Sequence, residues 1–210
     1  MARRIIGLIC MLLGVLLMAG AGLLLYENHR EEAQAGGESA AVLAQLREAL
    51  AEEAQTGATA APHSDETQTD VPRAMPTLEI EGQAYIGYLE LPTLGLTLPV
   101  MSDWSYERLR IAPCRYWGSV YDDSLVILAH NYARHFGGIR DLEIGDTVQF
   151  IDADGVIYRY VVAAQETLER GDVAAMTGSD YDLTLFTCTY GGKSRCALRC
   201  RLIDSVPVQG

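Results

Sequence analysis

The chain has 210 residues, 49% apolar and 21% charged, enough apolar material for one domain of ordinary size plus additional segments. Its net charge of −12, with no basic block beyond the first few residues, argues against nucleic acid as a partner, because phosphate binding needs clustered Lys and Arg. Beyond that, the acidity indicates only a soluble surface.

Arg3 and Arg4 precede an uncharged run from Ile5 to Tyr26. At about 1.5 Å per helical residue, such a run crosses a hydrocarbon core of about 30 Å. Basic residues on one flank and a mixed Glu27-to-Glu32 segment on the other predict a single-pass signal anchor with its N-terminus in the cytoplasm. The competing reading is a cleaved signal peptide, for which the run is long and Ala19-Gly20-Ala21 a loose cleavage match. Both readings export the remainder of the chain, and no second apolar run of membrane length is seen. The expected layout is a cytoplasmic tip and anchor over 1–27, an extracytoplasmic stalk and flexible linker over 28–76, and a folded domain over 77–210.

Within the stalk, Val42, Leu43, Leu46, Ala49 and Leu50 fall at helical spacing, which predicts a helix over 38–55 capped by Ser39. It reads as a spacer or a weak self-association surface. Residues 56–76 carry almost no large apolar groups and several Pro, Thr and Asp, so they read as a flexible linker. From Thr77 onward short apolar runs alternate with Gly, Pro and Asp. Strands are expected at 85–91, 96–101, 125–130, 147–152, 157–164, 183–188 and 195–203, with a turn at Asp152-Ala153-Asp154-Gly155. Short helices fit at 103–109 behind a Ser102 cap, near 139–142 and at 172–176. Seven or eight short strands in a domain of this size predict a mostly β architecture, closed or sandwiched.

A thiol enzyme needs a thiolate, an imidazole to exchange protons with it, and a donor for the oxyanion formed on attack. Cys188 ends a strand-like run and is followed by Thr189-Tyr190-Gly191-Gly192, a turn signal that leaves the thiol at a sheet rim. A buried core Cys is the equally weighted alternative. His130 ends the run from Leu125, and Arg195 opens the last strand across a short Gly-containing hairpin, within reach of Cys188. Arg199 and Arg201 share the face of Arg195 by alternation and read as solvated groups.

Thr184-Leu185-Phe186-Thr187-Cys188 resembles the TLxTC signature of the sortase family. Leu128-Ala129-His130-Asn131 is similar to that family's histidine strand, and Arg195 stands where its catalytic Arg opens the strand after the Cys. The segments from Tyr85 to Pro92 and from Leu94 to Val100, and Leu142 with Gly145-Asp146, resemble its opening strands and its "L…GD" turn. The likeness covers about residues 78–204, with Ala129 replacing the usual Gly and Cys196 replacing the usual apolar residue.

This resemblance implies a closed sortase-like β-barrel and a cysteine transpeptidase that needs no cofactor and no metal. Cys188 would attack the threonine carbonyl of an LPxTG-like sorting motif on an exported protein and form a thioester. His130 would shuttle protons and Arg195 would stabilise the oxyanion, with Thr187 and Asn131 assisting around them. The acceptor would be an amine of a cell-wall precursor or of another surface protein. His135 is the alternative base. Glu166, Glu169 and Asp172 read as solvated acids, and Trp104 and Trp117 as packing groups.

Cys196 and Cys200, about 13 Å apart on one strand, cannot bridge each other. A bridge from Cys114 to either is open in an exported domain. Two other functions compete: a membrane-anchored Cys-His hydrolase using the same thioester, and a non-catalytic β-barrel binding module.

Overall fold

The structure, a computed structural model, describes residues 2–56 and 73–207. Most of the expected linker therefore lies outside the described residues. Helix α1 runs from Ala2 to Thr56. Nine strands are found among the described residues: β1 (Leu78–Ile80), β2 (Gln83–Leu91), β3 (Leu96–Met101), β4 (Cys114–Trp117), β5 (Leu125–Leu128), β6 (Thr147–Asp152), β7 (Val156–Glu169), β8 (Leu183–Cys188) and β9 (Ser194–Pro207). A short helix α2 (Val173–Thr177) precedes β8, and 3₁₀ turns occupy Pro92–Leu94, Arg108–Arg110 and Ile139–Asp141.

The sheet order is β1-β2-β3-β4-β5-β8-β9-β7-β6, and β2 also pairs with β6. That extra pairing closes a ring of eight strands, with β1 as an outer flap on β2. Closure removes the unpaired edges that an open sheet would expose. Gly87 makes the seam possible. Its φ is 138°, and a Cβ there would lie 1.9 Å from the carbonyl oxygen of Ile151 on β6.

Two apolar clusters explain the texture of the strands. One draws side chains from β2, β3, β5, β6, β7, β8 and β9 and fills the barrel, with Leu125, Ile127, Leu183, Leu185 and Leu198 among them. Alternate residues of the same strands, Val126, Leu128, Phe186 and Ala197, join a second cluster on the outer face. Because both faces of β5 are covered, its four residues are all buried, and the run reads as continuously apolar. β5 and β8 run parallel and in register, Leu128 opposite Phe186. Their C-terminal ends therefore emerge at the same rim, followed by His130 on one side and ending at Cys188 on the other.

Every expected strand forms, and two more are added. β1 and β4 have only three and four residues, too few for alternation to register. The 103–109 segment is not a helix behind Ser102. It is a turn leading to the 3₁₀ turn, where Ser105 Oγ accepts from the Arg108 N–H. α2 does form, with Asp172 accepting from the Ala175 N–H as its N-cap.

α1 is continuous, so Ser39 is an interior residue of the helix and not a cap. Its segment over 5–30 is long and apolar enough to cross a membrane. Further along, Val42 and Leu46 are buried in the outer cluster, with Leu50 packed at its edge. Arg47 pairs with Glu90 at 2.9 Å and lies over the Tyr88 ring, and Gln45 donates to Glu81. Gly36 allows the helix to approach the side chain of Arg134, in the loop after His130. The apolar stripe of this segment thus covers the barrel. Leu46→Ala, at a fully buried site, is expected to cost about 3 kcal/mol. Thermal unfolding of the full chain in detergent checks this; an unchanged melt would mean that the helix does not stabilise the barrel.

Candidate active site

Cys188, the last residue of β8, pairs in register with Arg195 on β9. The six residues between them form a hairpin in which Gly191 and Gly192 both take left-handed φ values, and Thr189 and Ser194 close the loop by backbone and hydroxyl bonds. This geometry puts the thiol and the guanidinium on the same face of adjacent strands. The Arg195 guanidinium donates to the carbonyls of Gly192 and Ser194, which holds it against its own hairpin.

His130 follows β5 by two residues. The Ala129 N–H donates to the Phe186 carbonyl and so continues the β5–β8 ladder to the rim. The buried hydroxyl of Thr187 donates to the Ala129 carbonyl at 2.8 Å. Thr187 therefore ties the residue before His130 to the residue before Cys188, and its hydroxyl proton is engaged there. The imidazole of His130 stacks on Tyr132, with ring centroids 4.8 Å apart.

Cys188, His130 and Arg195 all line one cavity of about 180 Å³. Its apolar wall is Trp104, Tyr106, Tyr116, Leu128 and Phe186, and the other side is the Glu169-to-Met176 segment. Trp104 stacks near both Tyr106 and Tyr116, at 5.8 Å from each. The cavity thus brings a thiol, an imidazole and a guanidinium together beside an aromatic wall.

His135 stands elsewhere. It is fully buried against Tyr132 and lines neither this cavity nor the smaller one beside it. Asn131 lines the smaller one, next to Cys188.

Arg199 differs from its expected role. Only 2% of its side chain is exposed. It pairs with Glu166 and also donates to the carbonyls of Ala175 and Met176 and to the hydroxyls of Ser179 and Thr184. Strand alternation gave its face correctly but could not reveal that the α2 segment folds over it. Glu166 is accordingly an ion-pair partner and Asp172 a helix cap. The cavity face of α2 is fixed to the barrel by this buried arginine.

All five cysteines are free thiols, so neither Cys114 bridge forms. Cys114 lies in the outer cluster and Cys200 in the barrel core, which keeps them in separate packing layers. Burial pushes both thiols up to about 12 and also raises Cys196. At pH 8, iodoacetamide should therefore spare Cys114 and Cys200 in the folded protein. A thiol with a raised folded pKa stabilises the fold fully below its unfolded value, near 8.5, and loses that contribution as pH rises toward 12. The urea midpoint should fall above about pH 9, and Cys114→Ala with Cys200→Ala should flatten that fall. A midpoint equally steep in the double variant would remove these thiols as the cause.

The family model described as the Sortase domain matches residues 89–203. The chain belongs to the sortase family. Sortase C1 from Streptococcus suis is similar at 27% identity over 58% of this chain and 74% of that one, with a TM-score of 0.51. A Clostridium perfringens sortase D5 transpeptidase shares the fold over 80% of this chain and 99% of its own, at 15% identity and a TM-score of 0.57. Streptococcus pneumoniae sortase C shares it over 79% and 92%, at 23% identity and 0.53. A search of curated proteins returns no match. As a sortase, the chain is a cysteine transpeptidase by family, and its closed barrel with few helices is the sortase fold.

Proposed function

We propose that Cys188 is the nucleophile, His130 the proton carrier and Arg195 the oxyanion-stabilising cation of this sortase. The observation that carries the reading is their convergence, from β8, the end of β5 and β9, on one aromatic-walled cavity. The thiolate of Cys188 attacks the threonine carbonyl of an LPxTG-like peptide lying in that cavity. Charge develops on the carbonyl oxygen, and the Arg195 guanidinium, held at the hairpin, stabilises it. The C–N bond breaks, His130 gives its proton to the departing amine, and a thioester remains on Cys188. The incoming amine reverses these steps: its nitrogen forms the new amide bond, its proton passes to His130, and the sulfur leaves with the bonding pair. Thr187 supports the site by tethering Ala129, and thereby His130. Asn131, next to His130 in the chain, lines the smaller cavity and assists, on this reading, by holding the loop that carries the imidazole.

We further infer the topology. The apolar part of α1 anchors the chain in the cell membrane with Arg3 and Arg4 inside, and the barrel, over 77–210, works outside. Its substrates there are exported proteins carrying a sorting motif and an amine of a cell-wall precursor or surface protein.

The test uses the full chain in detergent with a panel of Leu-Pro-X-Thr-Gly peptides. Intact mass should show an acyl adduct that fragmentation assigns to Cys188, and an added amine should convert it to an amide product. An adduct that yields only free acid with every amine tried would favour a hydrolase. A folded, reduced protein that forms no adduct with any peptide would favour a binding module.

A further inference from the structure

His130 stands two residues beyond the end of β5, and the torsion that rotates its imidazole is intrinsically broad. Packing has to set the plane of the ring, and Tyr132 packs on it. The two ring centroids are 4.8 Å apart and the planes 32° from parallel, nearer to stacked than to edge-on.

Tyr132 is itself fixed by the way its loop winds. The N–H groups of His135 and Gly137 both donate to the Tyr132 carbonyl, at 2.9 and 2.8 Å, and the Phe136 N–H donates to the His130 carbonyl at 3.0 Å. Gly137 permits the close approach, because a Cβ there would lie 2.7 Å from the Tyr132 carbonyl oxygen. Phe136 enters the barrel core. The fully buried His135 ring lies against the Tyr132 ring, with centroids 5.6 Å apart. Tyr132 lines neither cavity, so it reaches the reaction only through His130.

We infer that Tyr132 is a positioning residue for this reaction: its ring face orients the His130 imidazole and favours the imidazolium form. His135, buried away from the cavity, serves as a support for that ring. The inference rests on the reading of His130 as the proton carrier. A cation over an aromatic face, within about 6 Å of the ring centroid, is drawn to the negative quadrupole there. The neutral imidazole gains less. The gain therefore falls on the species that acylation requires, the imidazolium that hands its proton to the departing amine. Other charged or titratable groups share the cavity with His130: Cys188 of β8, Arg195 of β9, Glu169 at the end of β7, and Arg170 and Asp172 of the turn into α2, with Tyr106 and Tyr116 on the aromatic wall. Arg134 and His135 lie on its own loop. A change at Tyr132 leaves all of these in the chain, which makes its contribution separable.

The experiment titrates the full chain in detergent with isotope-labelled histidine rings, read by NMR, and identifies the His130 signal among the four histidines with His130→Gln. Tyr132→Leu should lower the midpoint of that signal by about half a pH unit, and should move the alkaline limb of kcat/KM for a Leu-Pro-X-Thr-Gly peptide to lower pH by the same amount. In the same variant kcat should fall about 3- to 10-fold while KM for the peptide stays within about 2-fold. Tyr132→Phe, which keeps the ring face, should rescue all three. Tyr132→Met carries the test if melts show that the Leu variant does not fold. An unmoved midpoint in the apolar variant, an equal fall in Tyr132→Phe, or a loss confined to KM would overturn the role of the ring. Cleavage by His130→Ala at the wild-type rate would overturn the proton-carrier reading and this one with it, a result that the Tyr132 variants cannot produce.

Discussion

Cys188→Ala should abolish both thioester formation and peptide cleavage, and Arg195→Ala should lower kcat/KM by about 10²–10³-fold, with neither variant changing the melting temperature by more than a few degrees. The first outcome is expected because no second thiol can substitute. Cys114 and Cys200 are buried with pKa values raised to about 12, and Cys196 lies on the face of β9 away from Arg195. The second rests on the contacts of Arg195. Its partners are two carbonyls of its own exposed hairpin, which water can satisfy once the side chain is removed. Arg195→Lys should recover little, since a single ammonium cannot bond those carbonyls and an oxyanion in the fork geometry of a guanidinium. His130→Ala belongs with these variants, at about 10²–10⁴-fold. Peptide cleavage kinetics beside thermal melts check the set. An Arg195→Ala enzyme with wild-type kcat/KM would remove that residue from the oxyanion role.

Local pattern carried a good deal of this site. The strands ending at His130 and Cys188 are legible because β5 and β8 are short, apolar and bounded by turn residues, and β9 is legible because a hairpin of Gly residues precedes it. Their parallel pairing is not local: it depends on a crossover from 129 to 182, which strand periodicity does not show. Long-range burial was the least legible feature. Nothing within the 195–203 window separates Arg195, at the cavity, from Arg199, beneath α2. The stripe over Val42 and Leu46 reads locally as a spacer or a weak self-association surface, whereas in the structure it packs into the outer cluster of the barrel. β1 and β4 are defined by their neighbours and not by their own residues. Cys114 and Cys200, which looked able to pair, belong to different layers that only the closed barrel reveals.

Arg199→Ala is expected to destabilise the protein by about 3–5 kcal/mol, a fall in melting temperature of roughly 10–15 °C. The size comes from hydrogen bonds more than from the ion pair. Glu166 is 41% exposed on its side chain and can rehydrate when its partner is lost. The carbonyls of Ala175 and Met176 and the hydroxyls of Ser179 and Thr184 lose a donor in a site that the α2 segment covers, and each buried orphan costs about 1–3 kcal/mol. Glu166→Ala should therefore cost no more than about 1 kcal/mol, because the guanidinium keeps its other acceptors. The contrast separates two accounts of the same contacts. Equal losses in Arg199→Ala and Glu166→Ala would mean that Coulomb attraction holds α2; a loss confined to Arg199 would mean that the fork of donors does. The consequence reaches the candidate site in either case, because Asp172, Val173 and Met176 line the same cavity as Cys188. Releasing α2 should raise the KM for sorting peptide well below the melting transition, whereas Arg195→Ala, with α2 still in place, should fall mainly on kcat.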